Sequence, residues 1–211
     1  MAYYQRLCAA VASRQGRLDL TMVQADIHEL IANNLADRRA EQAAVYARLI
    51  DRLAAAGAGC AAITSLGGHF CLAETRALSA LPLVSAVDPL DDHFAGRGIG
   101  CVGLLGTRVV MRTRLYGQLE RTRALAPDDE IERLGQMYQD VAVAGACGGA
   151  EREGLFPAGR RMIARGAQAI VLAGTDLNLA FDGHDPGFPV IDALDVHVEL
   201  LADLATGRRG L

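Results

Sequence analysis

The feature of this sequence that most constrains its fold is an internal repeat. Residues 57–65 (GAGCAAITS) align without gaps with residues 166–174 (GAQAIVLAG). Each copy follows an amphipathic helical pattern, and each is followed by another helical pattern and a short segment that begins with a proline, Pro82 or Pro189. The ordered similarity of several elements predicts two similar α/β domains that arose by duplication. Chance similarity between two αβ units is the alternative.

Short apolar runs alternate with longer helical patterns along the chain. The runs lack strict polar–apolar alternation, which is typical of parallel strands that are buried on both faces. They predict strands at residues 19–23, 59–64, 81–85, 99–105, 169–173 and 189–191. The helical patterns cover residues 2–13, 38–56, 70–79, 109–123, 128–143, 158–165 and 192–205. This alternation predicts an α/β fold with two pseudo-symmetric, doubly wound parallel-sheet domains that face each other across a cleft.

The repeat also suggests where the domains begin and end. We expect an N-terminal domain of residues 1–92 plus 192–211, and a second domain of residues 93–191. The second half opens with a strand, residues 99–105, whereas the first half opens directly on the matching helix. By this comparison the first strand of the N-terminal domain is missing, which would expose a sheet edge. We expect that strand to lie before the first residue; a genuinely shortened domain is the alternative.

Composition excludes several classes of protein. The chain has 211 residues, 51% apolar residues and a net charge of −4, which favours a globular protein and neither nucleic acid nor a membrane as partner. The apolar runs are shorter than the roughly 18 residues of a membrane-spanning helix. The N-terminal segment lacks a signal-peptide core, so we expect a cytoplasmic protein. The five cysteines contain no CxxC pair, so no zinc site and no disulfide framework are indicated.

Three segments resemble one family of enzymes. Residues 2–7 (AYYQRL) resemble the first helix of the cofactor-independent aspartate/glutamate racemases. Residues 103–108 (GLLGTR) are similar to the turn and helix that open the second domain of that family. Residues 189–192 (PVID), followed by His197, resemble its C-terminal strand and helix. The resemblance implies an amino-acid racemase that needs neither pyridoxal phosphate nor any other cofactor, and a homodimer.

The two catalytic segments of the family are altered in this chain. The first ends a strand with Cys-Asn-Thr-Ala-His, and residues 65–69 here read SLGGH. The second ends a strand with Gly-Cys-Thr-Glu-Leu, and residues 173–177 here read AGTDL. Ser65 and Gly174 therefore stand where the family has its two catalytic cysteines.

These replacements remove the chemistry that the resemblance implies. In the family one thiolate removes the α-proton of the substrate, and the other thiol returns a proton from the opposite face. A serine hydroxyl is a far weaker acid, and glycine has no side chain, so the two-thiol mechanism is not open to this chain. Cys60 lies near the start of its predicted strand and Cys71 is expected to turn away, so neither is an obvious replacement.

The remaining candidate catalytic residues are His69, Asp176 and Ser65. His69 acts as an acid or base near neutral pH, or it is a helix N-terminal histidine whose ring is bound by backbone groups. Asp176 caps a helix, or it pairs with His69 or His197 across the cleft. Ser65 would need activation by His69, and its surroundings do not match a GxSxG turn.

Other residues at the predicted strand ends suit a small carboxylate ligand. Gly67 and Gly68 allow backbone N–H groups to approach an anion closely. The hydroxyl groups of Thr107 and Thr175 can donate hydrogen bonds to a carboxylate, and we place Gly174 in the same site. We expect no metal at this site, and the expected partner is an amino acid or a related small carboxylate.

Three interpretations of function follow. The first is a racemase or isomerase of an amino acid or related carboxylate that uses non-thiol acid/base groups. The second is a catalytically inactive homologue that binds a small carboxylate, and the third is a broken gene product. If the pocket is otherwise intact, replacing both Ser65 and Gly174 by cysteine is predicted to create racemase activity.

Overall fold

The structure, a computed structural model, describes residues 2–211 and divides into two compact units. The first unit contains the residues up to Ala86 together with His197–Leu211, and the second contains Val87–Val196. Both units hold parallel strands among helices, so the predicted α/β fold class is confirmed. The predicted domain boundaries stay a prediction.

The first unit has a short two-stranded sheet. Its strands are β1 (Ala61–Ala62) and β2 (Leu83–Val84), which pair in parallel. Its helices up to Ala86 are α1 (Ala2–Ser13), α2 (Ile27–Leu35), α3 (Arg39–Ala55) and α4 (Leu72–Leu78). A 3₁₀ turn, Leu66–Cys71, follows β1 and leads into α4.

The second unit has a four-stranded parallel sheet in the order β4-β3-β5-β6. The strands are β3 (Cys101–Gly106), β4 (Arg123–Leu125), β5 (Ala169–Ala173) and β6 (Val190–Asp192). The helices are α5 (Asp88–Gly96), α6 (Arg108–Thr113), α7 (Ile131–Ala144), α8 (Gly149–Ala164) and α9 (Asn178–Phe181). The last helix, α10 (Ala193–Ala205), begins in the second unit and ends in the first.

The two sheets share one register. Ala61 of β1 pairs with Leu83 of β2, and Ile170 of β5 pairs with Val190 of β6. The sequence repeat aligns these same positions. The hydrogen bonds also match, because the N–H of Ala61 donates to Pro82 at 2.9 Å and the N–H of Ile170 donates to Pro189 at 2.9 Å. The strand pairing is therefore the same in both halves of the chain.

The core of the second unit is built around β5. The side chains of this strand are at most 2% exposed, because β3 and β6 flank it and helices cover its faces. Burial of this kind stabilises by roughly 25 cal/mol per Å² of apolar surface. A Cβ at Gly106 of β3 would lie 2.2 Å from the carbonyl oxygen of Ala173, so this close approach requires glycine. The ends of β3 and β5 consequently lie side by side.

Two sequence predictions about local structure were wrong. Residues 19–23 form no strand in the structure: Leu20 is 41% exposed and Met22 is 65% exposed, so the segment has no buried face. The helix predicted over residues 109–123 ends at Thr113. Arg114, Leu115 and Tyr116 then take positive φ, which costs about 1–2 kcal/mol per residue. Burial of Leu115, which is 0% exposed, offsets part of this cost.

Other boundaries also differ from the predictions. Helices α2 and α5 and strand β4 were not predicted. Helix α8 begins at Gly149, nine residues before the predicted start at residue 158. Pro157 lies inside this helix, which explains why the sequence pattern favours a later start. The other predicted helices agree with the structure to within a few residues.

Candidate functional site

The strand order of the second unit defines where a ligand would bind. The chain runs from β3 outwards to β4 on one side and to β5 and β6 on the other. In open parallel sheets, ligands bind at the carboxyl ends of the strands where the order reverses. Thr107 follows β3, and Gly174 and Thr175 follow β5. Because Gly106 pairs with Ala173, the structure brings these predicted binding residues together.

Thr107 has a hydroxyl group that is already oriented by its own helix. It is the N-cap residue of α6, and its Oγ1 accepts a hydrogen bond from the N–H of Val110 at 3.3 Å. A hydroxyl that accepts one hydrogen bond keeps its proton for donation. Thr107 can therefore donate to an oxygen atom of a ligand at the end of β3.

Gly174 lies against an aromatic ring that sequence analysis did not identify. If Gly174 carried a Cβ atom, this atom would lie 2.4 Å from Cε2 and 2.7 Å from Cζ of Tyr138. Tyr138 belongs to α7 and is 8% exposed. The space that a cysteine side chain would need at position 174 is filled by this ring.

Asp176 is the half-buried carboxylate of the same turn. The Tyr138 hydroxyl donates a hydrogen bond of 3.3 Å to Oδ2 of Asp176. Burial raises the pKa of the Asp176 carboxyl above its usual range, and the bond from Tyr138 acts in the opposite direction. Burial also raises the pKa of the Tyr138 phenol, and the nearby Asp176 adds to this effect. The phenol is therefore the hydrogen-bond donor of the pair.

Ser65, in the first unit, holds the turn that follows β1. It is the N-cap residue of the 3₁₀ turn Leu66–Cys71, and its Oγ accepts from the N–H of Gly68 at 3.3 Å. The ring of His69 contacts the backbone carbonyl of Ser65. Activation of the Ser65 hydroxyl by His69 stays a prediction.

His69 has backbone partners on both ring nitrogens. Its Nδ1 donates to the carbonyl of Ser65 at 2.8 Å, and its Nε2 accepts from the N–H of Ala86 at 3.0 Å. These two contacts together require a neutral ring with the proton on Nδ1. The residue is 4% exposed and joins the turn after β1 to the segment after β2. This geometry favours the second of the two roles considered for His69, a ring bound by backbone groups.

Gly67 and Gly68 are both buried and are packed by residues that sequence analysis missed. The carbonyl of Gly67 accepts from Nδ2 of Asn34 at 2.9 Å. A Cβ at Gly68 would lie 2.3 Å from the hydroxyl of Tyr46 in α3. In each half of the chain, a buried tyrosine therefore packs against a glycine in the turn that follows a strand. Tyr46 packs against Gly68, and Tyr138 packs against Gly174.

Burial disfavours a reactive thiolate at two cysteines of the first unit, Cys60 and Cys71. Cys71 is 0% exposed, and its Sγ lies 3.6 Å from both the carbonyl of Gly68 and Oγ1 of Thr75. Burial raises the pKa of the Cys71 thiol and also that of Cys60. A raised pKa disfavours the thiolate, which is the nucleophilic form.

A metal-binding cluster and a membrane-spanning helix are both absent from the part of the chain that the structure describes. Among residues 2–211, no group of three or more His, Cys, Asp or Glu side chains is arranged to hold a metal ion. No helix in this part of the chain is both long and apolar enough to span a membrane.

The strand order and the helices around the strands define an α/β protein built on parallel sheets. The family model for Asp/Glu/hydantoin racemases matches residues 1–201, and the chain belongs to this family. Comparison with curated proteins found no significant match.

Solved structures with the same fold include three similar proteins. A candidate Asp/Glu racemase from Yersinia pestis has 24% identity and a TM-score of 0.80, with 97% of this chain and 92% of that chain covered. An aspartate racemase homologue from Pyrococcus horikoshii OT3 has 22% identity and a TM-score of 0.71, with 96% and 92% covered. The aspartate racemase of Picrophilus torridus has 16% identity and a TM-score of 0.72, with 97% and 89% covered. At these identities the likeness establishes the fold.

Proposed function

We propose that this chain binds a small carboxylate at the ends of β3 and β5 and does not racemise it by a two-thiol mechanism. The ligand class is an amino acid or a related carboxylic acid. The resemblance of the chain to amino-acid racemases and the names of the similar structures favour this class. The protein would then be a binding protein built on a racemase fold.

One observation carries the proposal: neither catalytic cysteine position can supply a thiol or an equivalent acid/base group. Ser65 carries a hydroxyl, which is a far weaker acid than a thiol, and the space beside Gly174 is filled by the Tyr138 ring. His69, the remaining family match in the first turn, has both ring nitrogens bound by backbone groups. The acid/base chemistry that racemisation requires therefore lacks its usual groups.

Carboxylate binding has separate support. Thr107 keeps a hydroxyl proton for donation at the end of β3, and Thr175 begins the turn after β5. Two hydroxyl groups at a point where the strand order reverses suit the oxygens of a small anion.

A second candidate function is a racemase or isomerase that uses non-thiol groups. Asp176 favours it, because burial raises the pKa of this carboxyl towards the range of an acid/base catalyst. Its hydrogen bond from Tyr138 holds the carboxylate in a defined position. In this alternative Asp176 would exchange the α-proton of the ligand.

Proton exchange distinguishes the two functions. Purified protein is incubated in D2O with L-aspartate, L-glutamate and a panel of other amino acids, and NMR follows deuterium at Cα. We expect no protein-dependent exchange, together with a ligand-dependent rise in the unfolding temperature. Exchange that is lost in Asp176→Asn but kept in Asp140→Asn, an exposed aspartate of α7, would establish the second function instead. Absence of both exchange and thermal protection would reject carboxylate binding for this panel.

We also propose that the protein is cytoplasmic, and the family resemblance leads us to propose a homodimer. Light scattering coupled to size-exclusion chromatography measures the mass directly. A monomer at micromolar concentration would rule out a stable dimer.

A further inference from the structure

Position 174 has no room for a side chain. An ideal Cβ there would lie 2.4, 2.7 and 3.1 Å from three ring carbons of Tyr138. Carbon atoms that are not bonded to each other pack at about 3.5–4.0 Å. Any residue larger than glycine at position 174 must therefore displace the tyrosine ring.

The ring itself is anchored in two ways. It packs into the core of the second unit, in a cluster that includes Leu105, Leu134 and Leu177. Its hydroxyl donates to Oδ2 of Asp176, two residues beyond Gly174. The apolar face of the ring and its polar end are thus both engaged, so the ring is not free to swing aside.

We propose that Tyr138 is the positioning residue of the site at the end of β5. Its ring forms the wall that residue 174 does not provide, and its hydroxyl orients the Asp176 carboxylate. The groups that face a ligand at the end of β5 are thus determined by Tyr138 of α7 and not by the residue at position 174. The part of this proposal that concerns ligand binding rests on the proposed carboxylate-binding function.

This assignment corrects one expectation from the sequence. Replacing Ser65 and Gly174 by cysteine was predicted to create racemase activity in an intact pocket. The structure shows that a cysteine at position 174 would collide with Tyr138. The double replacement therefore alters the pocket that it is meant to complete, and a smaller residue at position 138 is needed first.

A thermal double-mutant cycle tests the ring. Gly174→Ala should lower the unfolding temperature by about 5 °C in the wild-type chain, since overpacking is destabilising. In a Tyr138→Leu background, where the ring is gone, the same change should shift the temperature by no more than about 1 °C. Equal losses in both backgrounds would show that Tyr138 does not fill this space, and would overturn the proposal.

A second variant tests the hydroxyl. Tyr138→Phe keeps the ring and removes the bond to Asp176, so it should weaken L-aspartate binding about 3- to 10-fold. The 13Cγ resonance of Asp176, observed by NMR, should move in this variant. Tyr4→Phe, at a tyrosine of α1 that is 41% exposed, is the matched control. It should change neither the binding of L-aspartate nor the Asp176 resonance.

The outcomes separate this inference from the proposed function. If the wild-type chain binds L-aspartate and Tyr138→Phe binds equally well, the inference fails and the binding function stands. If the wild-type chain does not bind L-aspartate, the binding function fails for this ligand. The thermal cycle and the Asp176 resonance then still decide whether Tyr138 fills the space at position 174 and holds the carboxylate.

Discussion

At the scale of single residues, His69 matches a catalytic segment of the family, but its contacts favour a structural role. In sequence it is the one residue of the first catalytic segment that agrees with the family. In the structure its ring connects the carbonyl of Ser65 with the N–H of Ala86 inside the first unit. The buried N–H of Ala86 therefore has the His69 ring as its hydrogen-bond acceptor.

We therefore expect His69→Ala to destabilise the protein. Removing the ring leaves the buried N–H of Ala86 without its hydrogen-bond acceptor, and because such a group costs about 1–3 kcal/mol, a loss of about 1–3 kcal/mol is expected. The free energy of unfolding in urea measures it. His28→Ala, at an exposed histidine of α2, should change stability by less than about 0.5 kcal/mol. A comparably small effect of His69→Ala would mean that these hydrogen bonds do not support the turn.

At the scale of elements, one carboxylate fastens helix α5 to the segment before β4. Asp91 of α5 is 8% exposed, and its carboxylate accepts from the N–H groups of Glu120, Arg121 and Thr122 at 3.0–3.1 Å. Burial acts to raise the pKa of Asp91, but the hydrogen bonds from these residues outweigh it and lower the pKa. The segment that they fix follows the left-handed turn after α6.

A depressed pKa makes this connection sensitive to acid. The contribution of Asp91 to stability is present above its unfolded pKa of about 3.9 and is lost as pH falls through the lower folded value. We expect the free energy of unfolding to fall more steeply between about pH 5 and pH 2 in the wild type than in Asp91→Asn. Asp92→Asn, at a neighbouring carboxylate whose side chain is 81% exposed, should follow the wild-type curve. Parallel curves for the wild type and Asp91→Asn would contradict this account.

At the scale of the whole molecule, the two halves of the chain share a strand register but differ in how deeply the strand residues are buried. β5 has a neighbouring strand on each side, whereas β1 pairs with β2 alone among the residues that the structure describes. The positions that align with buried Val171, Leu172 and Ala173 are half-buried Ala62 and Ile63 and exposed Thr64. Equal pairing along the chain therefore does not mean equal protection from solvent.

Amide hydrogen exchange should reveal this difference. We expect the amides of β5 to exchange at least about tenfold more slowly than those of β1, after correction for intrinsic rates, since exchange follows local opening. β6, the outer strand of the larger sheet, is the internal control and should lie between them. Equal protection of β1 and β5 would show that the first sheet is as well covered as the second.

Much of the fold could be predicted because its signals are local. The alternation of apolar runs and helical patterns indicates parallel α/β structure, and the repeat aligned Ala61 with Ile170 in the register that the sheets adopt. Local patterns were insufficient for the segment after α6. There, the burial of Leu115 favours a left-handed turn over the helix that the sequence predicts.

The sequence by itself determined the fold class and the ends of most strands, and its resemblance to the family predicts that Ser65 and Gly174 stand at the catalytic cysteine positions. Only the tertiary structure decided what surrounds those positions. Tyr138 and Asp176 are 38 positions apart in the chain, and His69 and Ala86 are 17 apart, so no local pattern could indicate their contacts. Packing of distant side chains depends on how the helices lie against the sheet, and here it filled the space at Gly174 and engaged the ring of His69.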